Sequence, residues 1–245
     1  MIIEITHQQK QYKVNLGKGI DCSSTYGLAS AEPRAWHTPP VKIEPVTQGN
    51  WVGSVQAGAP VNFYKVQLNP HGNGTHTECL GHISPEKQSI NAFLPGYHGL
   101  VQFIKLKPNA QGCVTLKSLQ ALELNLALEA LAIAVPAPFP HDFSGTHPPY
   151  FEPELMAFVR EQGVKHFITN LPSVDPEEDA GALSAHKAFW QYPLKPRLKN
   201  TITELAYFPP NLANGLYFLN LQVAPLHNDA APSRPVFFAL EDKNP

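Results

Sequence analysis

The chain has 245 residues, 43% hydrophobic and 16% charged, which is enough apolar material for a substantial core. Its 18 Lys and Arg stand against 20 Asp and Glu, so no basic field draws nucleic acid or an anionic membrane to the surface, and a small-molecule substrate is the expected partner. The opening "MIIEITHQQKQYKV" turns polar too early for a secretion signal, and the longest apolar stretch, "ALAIAVPAPF", is broken by prolines well short of the roughly 20 residues a spanning helix needs. Three scattered cysteines, Cys22, Cys79 and Cys113, do not make a disulfide framework. A cytoplasmic protein with reduced thiols is expected.

In chain order, residues 2–6 and 11–16 alternate as two strands around "HQQK", a hairpin-like arm (1–18) ahead of "GIDCSS". "VNFYKVQL" (61–68) and "LVQFIKL" (100–106) read as strands rich in β-branched and aromatic residues. "TLKSLQALEL" follows as a helix with Thr115 as its N-cap, then a strand at "ALAIAV" (130–135). "EPELMAFVREQG" is a second helix, with Leu155, Met156, Phe158 and Val159 as apolar pairs and Gly163 to stop it. "HFITN" (166–170) is a strand, "AGALSAHKAFW" (180–190) a third helix, and "GLYFLNLQV" (215–223) and "PVFFAL" (235–240) are strands. β-structure dominates. The 25 prolines gather between these elements, in "EPRAWHTPPVKIEPV", "VPAPFPHDFSGTHPPYFEP" and "YFPPNL", where they stiffen loops of the kind that line sites. No repeat or composition shift divides the chain, so one domain over 1–245 is expected.

The densest chemistry lies in "HGNGTHTECLGH" (71–82). If "THTE" is extended, period-two alternation puts His76 and Glu78 on one face, about 6.5–7 Å apart along the strand, where both can reach one cation. His71 stands on the wrong face of a straight strand, but Gly72 and Gly74 can take positive φ and fold it back. His82 lies nearby on a bend at Gly81. Against this, Asn73-Gly74 is a favoured hairpin turn, and a single histidine beside a tip is ordinarily solvated. Three imidazoles with a carboxylate shift the reading to a divalent metal site.

These residues resemble the central motif of the metal-dependent cyclase-like hydrolases, the family of arylformamidase and isatin hydrolase, written H-x-G-T-H-x-D-x-P-x-H. "GIDCSS" is similar to that family's I-D-L-S segment, "NLPSVDPEEDAGALSAHKAF" to its D-x-x-S-x-D-P and following helix, "TITELA" to I-x-E-N-L, and "VAPLHNDAAPSRPVFFAL" to its closing stretch. The likeness runs in order from about residue 19 to residue 240.

The resemblance implies an α/β fold, a mixed β-sheet barrel-like core with outer helices, an N-terminal hairpin arm, and a homodimer or homotetramer. It also implies Zn2+ or Mn2+ ligation by His76 and Glu78, completed by His186 and Glu204, with His71 as a further ligand and His82 as the proton-transfer group. Trp36 and His37 fall where members place aromatic residues against the substrate. On its own, His186 reads as an ordinary helix residue and Trp36 as a core tryptophan. Glu204 between Ile202 and Leu205 is either a carboxylate that needs a cation or one at a strand edge facing water. Cys79 reads as a buried filler. The chain departs from the motif in placing His71 one residue early, in Leu80 for proline, in Ile83 for a frequent aromatic, and in Glu78 for Asp.

The expected activity is hydrolysis of an amide, formamide or lactam C–N bond, other than a peptide bond, by metal-activated water. A dehydratase or lactone hydrolase with the same ligands, and a non-catalytic metal- or ligand-binding relative, are the competing expectations.

Overall fold

The computed structural model describes residues 1–28, 32–122, 124, 128–136 and 140–242. Its strands are β1 Ile2–His7, β2 Lys10–Asn15, β3 Ile20–Asp21, β4 Lys42–Pro45, β5 Thr47–Gln48, β6 Trp51–Val52, β7 Tyr64–Gln67 and β8 His76–Glu78. They continue with β9 Tyr97–Lys105, β10 Cys113–Val114, β11 Ala130–Ala134, β12 Tyr150–Phe151, β13 His166–Thr169, β14 Thr201–Glu204, β15 Gly215–Val223 and β16 Ala230–Asp242. The helices are α1 Ile90–Phe93, α2 Leu116–Gln120, α3 Pro153–Glu161 and α4 Ser184–Trp190.

The main sheet runs β1-β2-β16-β15-β9-β11-β13-β14-β8, and β8 pairs back onto β16. Seven strands thereby close into a barrel, with β9, β11, β13 and β14 parallel and the remaining pairs antiparallel. The thirteen-residue β16 makes this possible: its start pairs with β8, its middle with β15 and β3, and its end with β2.

Alternation sorts the core. In β11, Ala130, Ala132 and Ala134 face the barrel interior with Val101, Phe103, Ile168, Leu219, Leu221 and Phe237. Leu131 and Ile133 point the other way, into a layer with Phe167 that α3 and α4 cover with Leu155, Met156, Val159, Phe189 and Trp190. The parallel strands are therefore buried on both faces, with the small side chains in the confined interior.

The architecture is more β-rich than the expected α/β arrangement, because its longest helices, α3 and α4, span only nine and seven residues. α4 begins four residues later than its apolar pattern suggested, since Asp179 accepts the Gly181 and Leu183 amides and closes a separate turn. The helix expected from Thr115 ends at Gln120, with Thr115 accepting the Ser118 amide as its cap. Its continuation at 123 and 125–127, like part of the Pro-rich stretch at 137–139, lies outside the described residues.

The expected N-terminal arm is bonded to the chain's own barrel. Val14 pairs with Leu240 and is buried against Phe218 and Phe238, with Ile3 and Ile5 on the same cluster. The element that projects is instead the two-stranded ribbon β4–β7, every residue of β7 being exposed. Among the described residues no helix is long and apolar enough to cross a membrane.

Candidate metal centre

β8 carries His76 and Glu78 into the interior, both wholly buried. It lies between β14 and the start of β16 in antiparallel register, Glu204 opposite His76 and Ala230 opposite Glu78. Glu204 is thus delivered to His76 by strand pairing, at 3.4 Å from Nε2 to Oε2, and is only 4% exposed, so it does not face water at an edge. Its Oε1 accepts the Val174 amide.

The turn before β8 is held by Asn69, whose side chain accepts the His71 and Gly72 amides. Gly74 takes the expected positive φ, +64°, and a Cβ there would meet the Tyr26 ring. Gly72 does not. It serves by close approach, since a Cβ would lie 2.2 Å from Thr38 Cγ2. The chain folds back so that the His71 ring meets His76 edge-on, with centroids 5.5 Å apart.

After Cys79 a single 3-10 turn, Leu80–His82, bends the chain and stacks His82 on His71 at 4.2 Å. The two rings then share the same pair of carboxylate oxygens. Glu78 Oε2 is 3.1 Å from His71 Nδ1 and 3.8 Å from His82 Nε2. Asp229 Oδ2 is 2.7 Å from His71 Nε2 and 3.7 Å from His82 Nδ1. His186 arrives from α4, its Nε2 3.2 Å from Glu78 Oε1 and 3.7 Å from Glu204 Oε1.

The six residues His71, His76, Glu78, His82, His186 and Glu204, from three parts of the chain, are therefore brought together, although His186 alone gave no sign of more than helix surface. Burial grades across the cluster. His76, Glu78, His186 and Glu204 are closed off, while the side chains of His71, His82 and Asp229 are 22%, 31% and 26% exposed and form its open side.

Asp175 and Asp229 were missed by the sequence reading. Asp175 accepts the Ala185 and His186 amides at the start of α4 and also His186 Nδ1–H at 2.6 Å, which turns Nε2 toward Glu78 and Glu204. It stands in the quoted "SVDPEE", where only the helix eleven residues on could have flagged it. Asp229 precedes β16, and its backbone carbonyl accepts the Cys79 amide. The pairing of β16 with β8, which gives it meaning, has no local sequence signal.

Burial by itself would lower the His186 and His71 pKa values. Hydrogen bonds that the imidazoles donate outweigh it, from His186 to Asp175 and Glu78 and from His71 to Asp229 and Glu78, and each rises to about 10. Glu78 is pushed up by burial but held well below its ordinary value by the surrounding imidazoles, first His82, then His186 and His71. Asp229 is lowered by its bond to His71. Burial raises the Cys79 thiol to about 11, in keeping with a filler.

The cluster fits a cation. His76 Nδ1 donates to the Gly74 carbonyl, which leaves Nε2 buried with no hydrogen-bond partner, and the buried Glu78 Oε2 has only imidazole nitrogens beside it, His71 Nδ1 at 3.1 Å and His82 Nε2 at 3.8 Å. Buried polar atoms are rarely orphaned. The triads His71, His76, Glu78 and Glu78, His82, His186 and His71, His82, Asp229 each offer ligand atoms within 4.8 Å of one another and could each hold an ion.

Trp36 and His37 do not reach this cluster by hydrogen bond or ring contact among the described residues. Their turn is tied beside it by Ala35 N–H and Thr38 Oγ1, both donating to the Gly72 carbonyl. Trp36 is 38% exposed rather than packed in the core, and it and His37 hold consecutive left-handed conformations, φ 60° and 53°. A cavity of about 580 Å3 on the same rim is lined by Ser24, His141, Phe143, Leu205 and Tyr207 among others, with none of the six cluster residues in its wall.

The sequence profile of the family described as "Putative cyclase" matches residues 14–176, more than half of the chain and the whole of the 71–82 segment. The chain belongs to the putative cyclase family. His186, Glu204 and Asp229 lie beyond the matched span, and the structure supplies their relation to it. No curated protein matches the chain.

Solved structures share its fold. A predicted metal-dependent hydrolase from Bacillus stearothermophilus is 16% identical with a TM-score of 0.59 over 90% of this chain and 98% of that one. An isatin hydrolase bound to the product analogue thioisatinate is 14% identical with a TM-score of 0.62 over 91% and 93%. Isatin hydrolase A from Labrenzia aggregata, bound to benzyl benzoate, is 14% identical with a TM-score of 0.61 over 91% and 94%.

Proposed function

We propose that this cyclase-family chain is a metal-dependent hydrolase that cleaves an amide, formamide or lactam C–N bond of a small molecule. The observation that carries the reading is the convergence of imidazoles and carboxylates around His76 Nε2, buried without a hydrogen-bond partner, and the wholly buried Glu78 carboxylate. His71, His76, Glu78, His186 and Glu204 would hold Zn2+ or Mn2+, a choice their mixed nitrogen and oxygen donors leave open. A bound cation of this kind supplies a Lewis acid that lowers the pKa of water and takes up charge developing on a carbonyl oxygen.

The chain supplies the rest. His82 lies on the open side, one ring nitrogen toward Glu78 and the other toward Asp229, where it can hold a proton and pass it to a leaving nitrogen. Asp175 keeps His186 in one orientation, and the closed inner wall excludes water from all but the His82 side. Trp36, exposed on its rigid turn next to Gly72, is the proposed apolar contact for the substrate ring, with His37 beside it.

A homo-oligomer belongs to the same proposal. Ile43, Trp51, Val55, Val61, Phe63, Tyr64 and Val66 are all exposed on or beside the β4–β7 ribbon, and an isolated two-stranded ribbon is marginal in water.

The test is a panel of amides, formamides, lactams and lactones assayed before chelation, after it, and after Zn2+ or Mn2+ is restored. Cation-dependent turnover of C–N substrates supports the reading. Turnover of lactones alone, or of nothing while cation is bound, overturns it.

A further inference from the structure

We propose that the chain has a second binding site, for a small phosphate-class anion, on the face away from the metal centre. A cavity of about 450 Å3 opens where the end of α3 meets the segment "KPRLKN" leading into β14, and Arg160, Lys165, Arg197 and Lys199 line it beside Val164 and Leu198. It lies at the amino ends of β13 and β14, whereas Glu204 stands at the carboxyl end of β14.

Four cations in one cavity is a marked concentration for a chain whose net charge is −2. Two are offset, Arg160 by Glu161 at 2.8 Å and Lys165 by Glu129. The other two have no carboxylate among the described residues. Among the described residues the Arg197 guanidinium uses only Nε, donating to Gln191 Oε1 at 3.2 Å, and the Lys199 ammonium has no side-chain or backbone acceptor. Arg160 is held in the cavity wall, its side chain only 11% exposed, with Nη1 on the Ala188 carbonyl and Nη2 on Glu161. The cavity thus holds an excess of positive charge, with the exposed Arg197 and Lys199 N–H groups available to an oxyanion.

Guanidinium forks match the oxygens of a phosphate, and an ammonium adds a point charge. The volume suits inorganic phosphate or a small phosphomonoester, with Leu198 and Val164 offering apolar contact to the latter.

The site has a mechanical link to the metal centre. Arg160 Nη1 donates to the Ala188 carbonyl on α4, the Arg197 amide donates to Trp190 O at 2.9 Å, and Trp190 Nε1 donates to Asn200 O at 2.8 Å. Trp190 in turn stacks on His186, with centroids 5.5 Å apart and planes 28° apart. An anion drawing Arg160 and Arg197 together therefore bears on the helix that positions His186.

The test titrates the purified full chain with inorganic phosphate and with phenyl phosphate, by calorimetry and thermal midpoint, at ionic strength fixed with sodium chloride. The expected result is one saturable site per chain, weakened roughly tenfold or more in R197Q/K199Q and recovered in R197K/K199R. Both residues are exposed, so circular dichroism should show both variants folded. Tighter binding of phenyl phosphate would mark an organic monoester as the ligand, tighter inorganic phosphate the free ion. A midpoint shift reproduced by chloride alone, or undiminished affinity in R197Q/K199Q, overturns the proposal.

Discussion

Glu204 and His76 face each other across neighbouring antiparallel strands, and the 3.4 Å between Oε2 and Nε2 is set by backbone register rather than by side-chain reach. Glu204→Gln keeps the shape and an oxygen for the Val174 amide but removes the charge. It should lower cation affinity by roughly tenfold to a hundredfold with little change in fold. Cation content after dialysis against a graded chelator, read beside circular dichroism, checks this.

Asp175→Asn should weaken cation binding by roughly ten- to a hundredfold although Asp175 touches no candidate ligand except His186. The amide can rotate to donate its NH2 to Nδ1, which would put the imidazole proton on Nε2, the nitrogen that faces Glu78 and Glu204. A Co2+-substituted sample should show the effect as an altered visible spectrum, and an unchanged spectrum and affinity would refute it.

His82→Ala should keep cation content and lose turnover by roughly 10²- to 10⁴-fold. Asp229→Asn should lose less, because Asp229 contacts only the far side of the His71 and His82 rings. If His82→Ala retained full turnover, the proton would have to travel by another route.

The pH response follows from the shifted groups. His71 and His186, raised from 6.5 to about 10, are protonated near pH 7 when no cation is bound, and ligation needs their lone pairs. Cation uptake should therefore release protons, and apparent affinity should climb from pH 6.5 toward 10, measurable by calorimetry in buffers of different ionisation heat.

For the chelated protein, the stability from these raised imidazoles is complete below pH 6.5 and lost as pH rises through about 10. The lowered Glu78, Asp175 and Asp229 contribute above their ordinary values of 4.5, 3.8 and 3.8 and lose that contribution on acidification below them. Its unfolding midpoint should peak between roughly pH 4.5 and 6.5 and fall on both sides.

Gly72→Ala should destabilise the fold by about 1–3 kcal/mol, because its methyl group would collide with Thr38 and loosen the turn that carries His71. Urea unfolding measures the change. Thr38→Ala, which opens space, should recover part of it when combined with Gly72→Ala.

The strands were legible wherever alternation or β-branching extended over several residues. "GLYFLNLQV" was read with its observed limits, and "ALAIAV" was read as a strand one residue longer than the observed Ala130–Ala134. His76, Glu78 and the bend at His82 were visible because their geometry is local. Glu204 was half visible, as a carboxylate among apolar neighbours whose environment only pairing could decide. Asp229 and the closure of β16 on β8 were not visible, since no residue near 229 signals what lies beside residue 78. Of the exposed β4–β7 ribbon only the β7 half was read as strand, since β4 lies in the Pro-rich stretch "EPRAWHTPPVKIEPV" that reads as loop; its exposure was not visible, because burial is a property of packing and "VNFYKVQL" looks the same covered or bare.

The barrel is sealed by its last strand, which clasps the short strand bearing His76 and Glu78 and sets Asp229 beside them. A chain emerging from the ribosome therefore cannot assemble the complete basin until residues 229–232 have emerged. Ion loading should mark the end of folding rather than seed it, and shortened chains ending before residue 229 should fail to retain the ion even where their helices and parallel strands have formed.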